Sequence, residues 1–294
     1  MSLLKYEILL SALKHGSLTA AAEEMGYTQS AVSHMINNLE VELGVQLIKR
    51  SRTGVSLTSN GEILIPYIKN IIKENNNFKQ ALSEVTGLIK GKLTIGSFET
   101  INTTYLPDIL EEFLSEYPDI NIEIIEATYS EIEKWLEQGE IDCGFVSMPS
   151  SKSLKVIPVI RDKYGAAVSK TREHGFSDSG EVTVEELIKE DLILMQGNDD
   201  YDVRRYLSTA SAPPKYKIIT DDPATCMKMV ERNMGVALMP IRLINEYSDS
   251  VDVFELKDGF TRTLYFAYTN IKDASPIAKK FIEFMEYEEL PALK

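Results

Sequence analysis

The stretch from Leu18 to Leu57 leaves its fold little choice. Leu18–Met25 is a short Ala-rich helix stopped by Gly26, and its small side chains let a second helix approach closely. Thr28 is placed as an N-cap, and Val32, Met35, Ile36, Leu39 and Leu43 recur at helical spacing until Gly44. An earlier helix over Leu3–Lys14 carries Tyr6, Leu9, Leu10 and Leu13 on one stripe and stops at Gly16. After Gly44, Leu47–Leu57 reads as two short strands about a turn holding Gly54, with Lys49, Arg50 and Arg52 at its tip. Helices followed by a basic hairpin describe a winged helix-turn-helix. The outward face of the third helix offers Gln29, Ser30, Ser33, His34 and Asn37, all hydrogen-bonding and none acidic. That inventory, beginning at capping Thr28, suits base edges in a major groove, while Arg50, Arg52 and Thr53 suit backbone phosphates.

The charge balance first argues the other way. The 294 residues hold 31 Lys+Arg against 45 Asp+Glu, a net −14, where phosphate binding ordinarily leaves a basic footprint. The imbalance is local. Residues 1–90 contain nine cations and eight anions, a net +1, which leaves −15 for everything after Lys90. The two parts of the chain are therefore expected to meet different partners. At 44% apolar and 26% charged, the chain is ordinary globular protein. Its apolar runs fall far short of a membrane span, and its N-terminus shows no export signal, so a cytoplasmic protein without a membrane partner is expected. Cys143 and Cys226 make no disulfide scaffold.

The segment AAAEEMGYTQSAVSHMINNLEVELGVQLIKR resembles the N-terminal domain of LysR-type transcriptional regulators. That family runs S/T-Q-x-A-V-S, then L-E-x-x-L-G-x-x-L, then Arg. Thr28-Gln29, Ala31-Val32-Ser33, Leu39-Glu40, Leu43-Gly44, Leu47 and Arg50 match in register, whereas Ser30, His34 and Ile48 stand where Pro, Arg and Phe are usual.

Ser59-Asn60-Gly61-Glu62 has capping-box spacing, with Ser59 as the expected cap. Behind it Leu64, Ile68, Ile71, Asn75, Phe78, Leu82, Val85 and Ile89 alternate steps of four and three, a heptad seam that predicts pairing of two chains. Pro66 predicts a local irregularity in that helix. From Lys92 the pattern becomes strand, helix, strand, helix, which predicts parallel strands with crossover helices. The first strands fall at Leu93–Ile95, Ile120–Ile124 and Ile141–Val146, and a second set at Tyr164–Ser169, Leu192–Met195, Tyr216–Thr220 and Gly235–Met239. Leu264–Tyr268 returns as a strand, and Pro276–Glu288 forms a last helix capped by Ser275.

Lys92-Leu93-Thr94-Ile95-Gly96, Tyr117-Pro118, Gly139-Glu140-Ile141-Asp142 and Met234–Pro240 resemble the effector-binding domain of the same family. The resemblance implies a two-lobed fold like type 2 periplasmic binding proteins, with lobes exchanging strands near Ile160–Lys163 and Thr263–Phe266. It also implies that homodimers associate further into a tetramer. The expected architecture is thus α/β with an all-α-rich N-terminal part. A winged helix-turn-helix covers residues 1–58 and a linker helix 59–90. An effector-binding domain covers 91–294, with lobe I at 91–161 and 265–294 and lobe II at 162–264.

In open α/β sheets a ligand sits beyond the C-terminal strand ends. Here those ends present Ser97, Phe98, Glu99 and Thr100, then Thr128, Ser147 and Gln196, and finally Asp222 with Thr225 at a later helix start. Hydroxyls and amides suit a small polar metabolite, with a carboxylate at a helix N-terminus, while Glu99 disfavours a polyanion and favours an amine-bearing ligand. Catalysis has little to stand on. His15, His34 and His174 are scattered, and no G-x-S-x-G, P-loop or G-x-G-x-x-G occurs. Buried Cys143 reads as a small hydrophobe, and Cys226 near a helix start as a thiol that could ionise. No cofactor and no metal are expected. The leading expectation is a sequence-specific, effector-controlled regulator of transcription on double-stranded DNA, and its rival is DNA-binding helices fused to a catalytic α/β domain.

Overall fold

The computed structural model describes residues 2–51, 54–85, 90–176, 180–247 and 250–287. The chain divides into two compact units, Met1–Leu88 and Ile89–Lys294. The first holds α1 (Leu3–His15), α2 (Leu18–Met25), α3 (Gln29–Leu43), β1 (Ile48–Ser51), β2 (Gly54–Leu57) and α4 (Ser59–Val85). Local chemistry sets these boundaries. The Ser17 hydroxyl accepts from Ala20 N–H and the Thr28 hydroxyl from Ala31 N–H, satisfying amides that open α2 and α3. The apolar stripes of α1, α2 and α3 converge, so Ile8, Leu9, Ala12, Ala21, Val32, Ile36 and Leu39 are fully buried together with Leu47 and Ile48. Each large aliphatic among them contributes about 1.5–3 kcal/mol by leaving water.

The hairpin β1–β2 is locked to this core. The Glu40 carboxylate accepts from Leu47 N–H at 2.7 Å and Ile48 N–H at 3.0 Å, so the Leu-Glu pair of α3 fixes where the hairpin begins. Gly54 has φ 125°, and a Cβ there would fall 2.4 Å from the Gly16 carbonyl oxygen, which accepts from Val55 N–H at 2.8 Å. No other residue type fits that approach.

The structure shifts two expectations for α4. Its cap is Thr58 rather than Ser59. The Thr58 hydroxyl accepts from Gly61 N–H at 3.0 Å and donates to the Gln46 carbonyl at 2.6 Å, tying the helix start to the loop before β1. The heptad seam is also divided. Ile68 is buried in the first core and Leu64 is half-buried against it, because the opening turns of α4 lie on that core. The exposed apolar residues of α4 are Ile63 and Tyr67 on the outer side of those opening turns, then Ile71, Phe78, Leu82 and Val85 further along. Pro66 sits inside the helix without ending it, and Ile89 lies outside the described residues.

The second unit opens with β3 (Gly91–Ser97), α5 (Glu99–Thr104), α6 (Leu106–Glu116), β4 (Ile120–Glu126), α7 (Tyr129–Gln138) and β5 (Cys143–Ser147). The chain continues through β6 (Lys155–Ser169), β7 (Glu181–Val182), α8 (Val184–Leu187), β8 (Leu192–Met195), α9 (Asn198–Leu207) and β9 (Tyr216–Thr220). It closes with α10 (Pro223–Glu231), β10 (Val236–Pro240), α11 (Ile241–Tyr247), β11 (Val251–Leu256), β12 (Thr261–Tyr268) and α12 (Pro276–Tyr287). Glu288, the expected end of α12, lies outside the described residues, while Ser275 caps that helix by accepting from Ala278 N–H.

One lobe orders its strands β4-β3-β5-β12-β6, and the other places β10, β8 and β9 on one side of β6 and β11 with β7 on the other. The long β6 serves both lobes: Lys155–Lys163 pairs with β12, and Tyr164–Ser169 pairs with β10 and β11. The sheets are consequently mixed. β3, β4 and β5 run parallel, as do β8, β9 and β10, but β12 is antiparallel to β5 and β6. A strand that passes straight from one lobe to the next enters the second sheet without a crossover helix, and it therefore runs against its neighbours. Two further details differ from the sequence expectation. β5 starts at Cys143, since the Asp142 carboxylate turns aside to accept from Thr94 N–H at 2.8 Å. β11, which carries Asp252 and Glu255 among its apolar residues, is not among the strands expected from sequence. Among the described residues no helix is long and apolar enough to cross a membrane.

Candidate functional site

The α3 face is built by the cap and by one arginine. Gln29, Ser30, His34 and Asn37 are exposed while Ser33 is half-buried, and Thr28 shares a hydrogen bond with Ser30 at 3.1 Å. Arg50 reaches from β1 and lies across the helix, donating to Ser33 Oγ at 2.7 Å and to Asn37 Oδ1 at 2.8 Å. Sequence reasoning put Arg50 at the hairpin tip, whereas its guanidinium joins the helix face. His34 Nδ1 meets Asn38 Nδ2 at 3.2 Å. Arg52 and Thr53 lie outside the described residues. Behind this face, Glu24 bonds Ser11 and Lys14, which lowers its pKa to about 2 and joins α1 to α2.

The second candidate site is a cavity of about 300 Å³ between the two lobes of the second unit. The first lobe contributes Phe98, Glu99, Thr100, Glu126, Ala127, Thr128 and Glu131, delivered by the ends of β3 and β4 and the starts of α5 and α7. The other lobe contributes Met195, Gln196, Gly197, Asp221, Pro223 and Leu243. Of the expected effector residues, Phe98, Glu99, Thr100, Thr128 and Gln196 line this cavity. Ser97 and Ser147 are buried at the ends of β3 and β5 and are not part of the lining. Asp222 and Thr225 are not part of it either, because the Asp222 carboxylate turns back to accept from Thr225 N–H at 2.6 Å.

Beneath the cavity lies a group that sequence reasoning missed. Arg262 is 3% exposed and opposes Asp162, itself fully buried, in the β6–β12 ladder. Its Nε and Nη2 reach Asp162 Oδ2 at 3.3 and 3.2 Å. The same guanidinium donates to Tyr129 Oη at 2.9 Å and to Thr100 Oγ1 at 3.0 Å. Arg242 of α11 approaches the other Asp162 oxygen at 3.6 Å. Asp162 and Arg262 thus tie α5 and α7 of one lobe to α11 of the other through the strands that join them. The signal was available: Arg262 shares the inward parity of Leu264, and Asp162 that of Ile160, so both charges point into the protein.

Other chemistry is muted. Burial pushes the Cys226 thiol up to about 12 and the Cys143 thiol well above its usual range, so neither supplies a thiolate. His174 accepts from Phe176 N–H and packs against Phe254. Among the described residues no group of three His, Cys, Asp or Glu side chains could hold a metal ion.

A family model described as "Bacterial regulatory helix-turn-helix protein, lysR family" matches residues 3–62, and one described as "LysR substrate binding domain" matches residues 86–288. The chain belongs to the LysR family. This LysR-family protein is a transcriptional regulator with a helix-turn-helix DNA-binding region and an effector-binding domain. It is 27% identical over 286 residues to the uncharacterized HTH-type transcriptional regulator YvbU of Bacillus subtilis (strain 168), covering 96% of this chain and 97% of that protein. It is 26% identical to the hydrogen peroxide-inducible genes activator of Haemophilus influenzae over 249 residues, 83% of this chain and 81% of that protein. The solved structure of CbnR, a LysR family transcriptional regulator, superimposes with a TM-score of 0.71 at 18% identity, covering 97% of this chain and 98% of that one. These relatives are regulators, and nothing in them supports a catalytic domain fused to DNA-binding helices.

Proposed function

We propose that this LysR-family regulator acts in the cytoplasm, reading a double-stranded operator with the N-terminal face of α3. The face presented by Gln29, Ser33 and Asn37, with Arg50 laid across it, carries this reading. Gln29 contacts bases, Ser30 and His34 flank it, and Arg52 and Thr53 meet phosphates at the hairpin tip. The division into residues 1–58, 59–90 and 91–294 assigns reading, pairing and sensing to successive parts of the chain. Two α4 helices pair along Ile71, Phe78, Leu82 and Val85, which leaves two reading faces for an imperfect palindrome, and dimers associate into tetramers. A small polar effector enters the interlobe cavity, and its higher affinity for one lobe arrangement shifts the geometry of the assembly on the promoter. Selection of bound fragments from genomic DNA tests the reading face: a palindromic motif is expected, and Gln29→Ala relaxes base preference at one position of it. Light scattering tests the pairing. Ile71→Glu with Phe78→Glu yields monomers, and an unchanged mass sinks the α4 seam.

A further inference from the structure

The cavity is anionic on both sides. Glu99, Glu126 and Glu131 line it from one lobe and Asp221 from the other, and among the described lining residues there is no Lys, Arg or His. Two of the helix starts beside it, those of α7 and α10, already carry one of the protein's own carboxylates. At α7, Glu131 Oε2 accepts from Thr128 N–H at 3.0 Å and from Thr128 Oγ1–H at 2.6 Å. At α10, Pro223 has no amide hydrogen and Asp222 takes the Thr225 N–H. Those hydrogen bonds hold Glu131 and Asp222 below the usual carboxylate range, so both are charged at neutral pH. A ligand carboxylate meets the repulsion of these lining carboxylates. The buried cation beneath the floor does not reverse this, because Arg262 already serves Asp162, Thr100 and Tyr129.

We infer that the effector is an organic dication, a diamine or polyamine whose ammonium groups are held by carboxylates of the two lobes. This rests on the cavity being the effector site and narrows what that site accepts. It replaces the sequence-based expectation of a ligand carboxylate at a helix start. The walls between the charges are Phe98, Met195, Pro223 and Leu243, which suit a methylene chain better than a hydrated metal ion. Like charges on facing lobes repel until a cation comes between them, so the same carboxylates that bind the ligand drive closure.

Calorimetry on the full-length protein with putrescine, cadaverine and spermidine, set against succinate, glutamate and magnesium chloride, tests this. A diamine binds, more weakly as sodium chloride rises. Glu126→Gln and Asp221→Asn, both at exposed positions, each weaken it about tenfold or more while melting temperature holds. Succinate or a neutral ligand that binds and is lost in Gln196→Ala keeps the cavity as the effector site and overturns the dication. Magnesium displacing the diamine hands the carboxylates to a metal and overturns it too. Diamine affinity unchanged in all three variants puts the amine outside the cavity and defeats both readings. Failure of every amine to bind at millimolar concentration also overturns the dication.

Discussion

The two units solve the problem of presenting polar groups in opposite ways. In the first, the only buried polar side chain among the described residues is Ser11, and every described candidate DNA contact lies outside the apolar core. In the second, Asp162 and Arg262 sit at the centre of the fold, and the cavity is built on top of them. A surface that reads an external polymer needs only a rigid support. A cavity that must reorganise when filled gains from polar groups inside, whose partners can differ between two lobe arrangements while apolar packing stays indifferent.

That contrast breaks first at Arg262. Arg262→Met takes from buried Asp162 the guanidinium that bonds it, and the full-length chain should lose about 3–5 kcal/mol in urea unfolding of its second unit. Adding Asp162→Leu should restore much of it. A loss below about 1 kcal/mol would mean the pair is solvated in solution and the contrast is not real. An aliphatic deletion in the first unit gives the matching measurement: Ile36→Ala should cost about 2–5 kcal/mol there and leave the second unit's transition in place. Gln29→Ala should leave both transitions untouched and cost about 1–3 kcal/mol of discrimination between operator variants, measured by titration against single-base changes. Thr28→Ala removes the α3 cap, so about 1 kcal/mol of first-unit stability is expected to go, visible in thermal melts.

The smallest effect is electrostatic. Lys215 and Lys217 hold the Asp191 carboxyl at about 2, and Thr225 holds Asp222 below its usual range. Both are carboxylates depressed in the folded state. Their contribution is therefore complete above the unfolded value near 4 and fades as pH falls through the folded values. Asp222→Asn should flatten the acid limb of the stability profile slightly, lowering stability by a small constant amount above about pH 5 and by less as pH falls. A profile flattened above neutrality instead would assign the effect to another group.

The first unit was legible because its information is contiguous. Capping Thr28, the stripe from Val32 to Leu43 and the terminating Gly44 lie within one turn-by-turn pattern, and helix ends fall within a residue of where those signals put them. The Leu-Glu step even had a mechanical meaning, the carboxylate clamp on Leu47 and Ile48. What escaped was tertiary. The stripe on α4 looked like a single seam because periodicity does not say which of two partners a face meets, and Ile68 went to the helix-turn-helix core. In the cavity, Phe98, Glu99, Thr100, Thr128 and Gln196 were found from strand ends, but Glu126, Glu131 and Asp221 were not. Their places depend on how far each strand runs before its helix, a matter of a residue or two. Arg50 was misplaced for a related reason: a long side chain can fold back onto a neighbouring helix, and no spacing reports that.

Ile68 has a mechanical consequence. By committing the opening turns of α4 to the core beneath the reading face, it welds head and shaft into one lever. The shaft of 27 residues is about 40 Å long. A swing of about 10° at its far end carries the head through about 7 Å, or about two base-pair steps along the duplex axis. On the proposed α4 pairing, small angular changes are geared up into changes of half-site spacing, so the phase of an operator becomes the quantity on which this arm has most purchase.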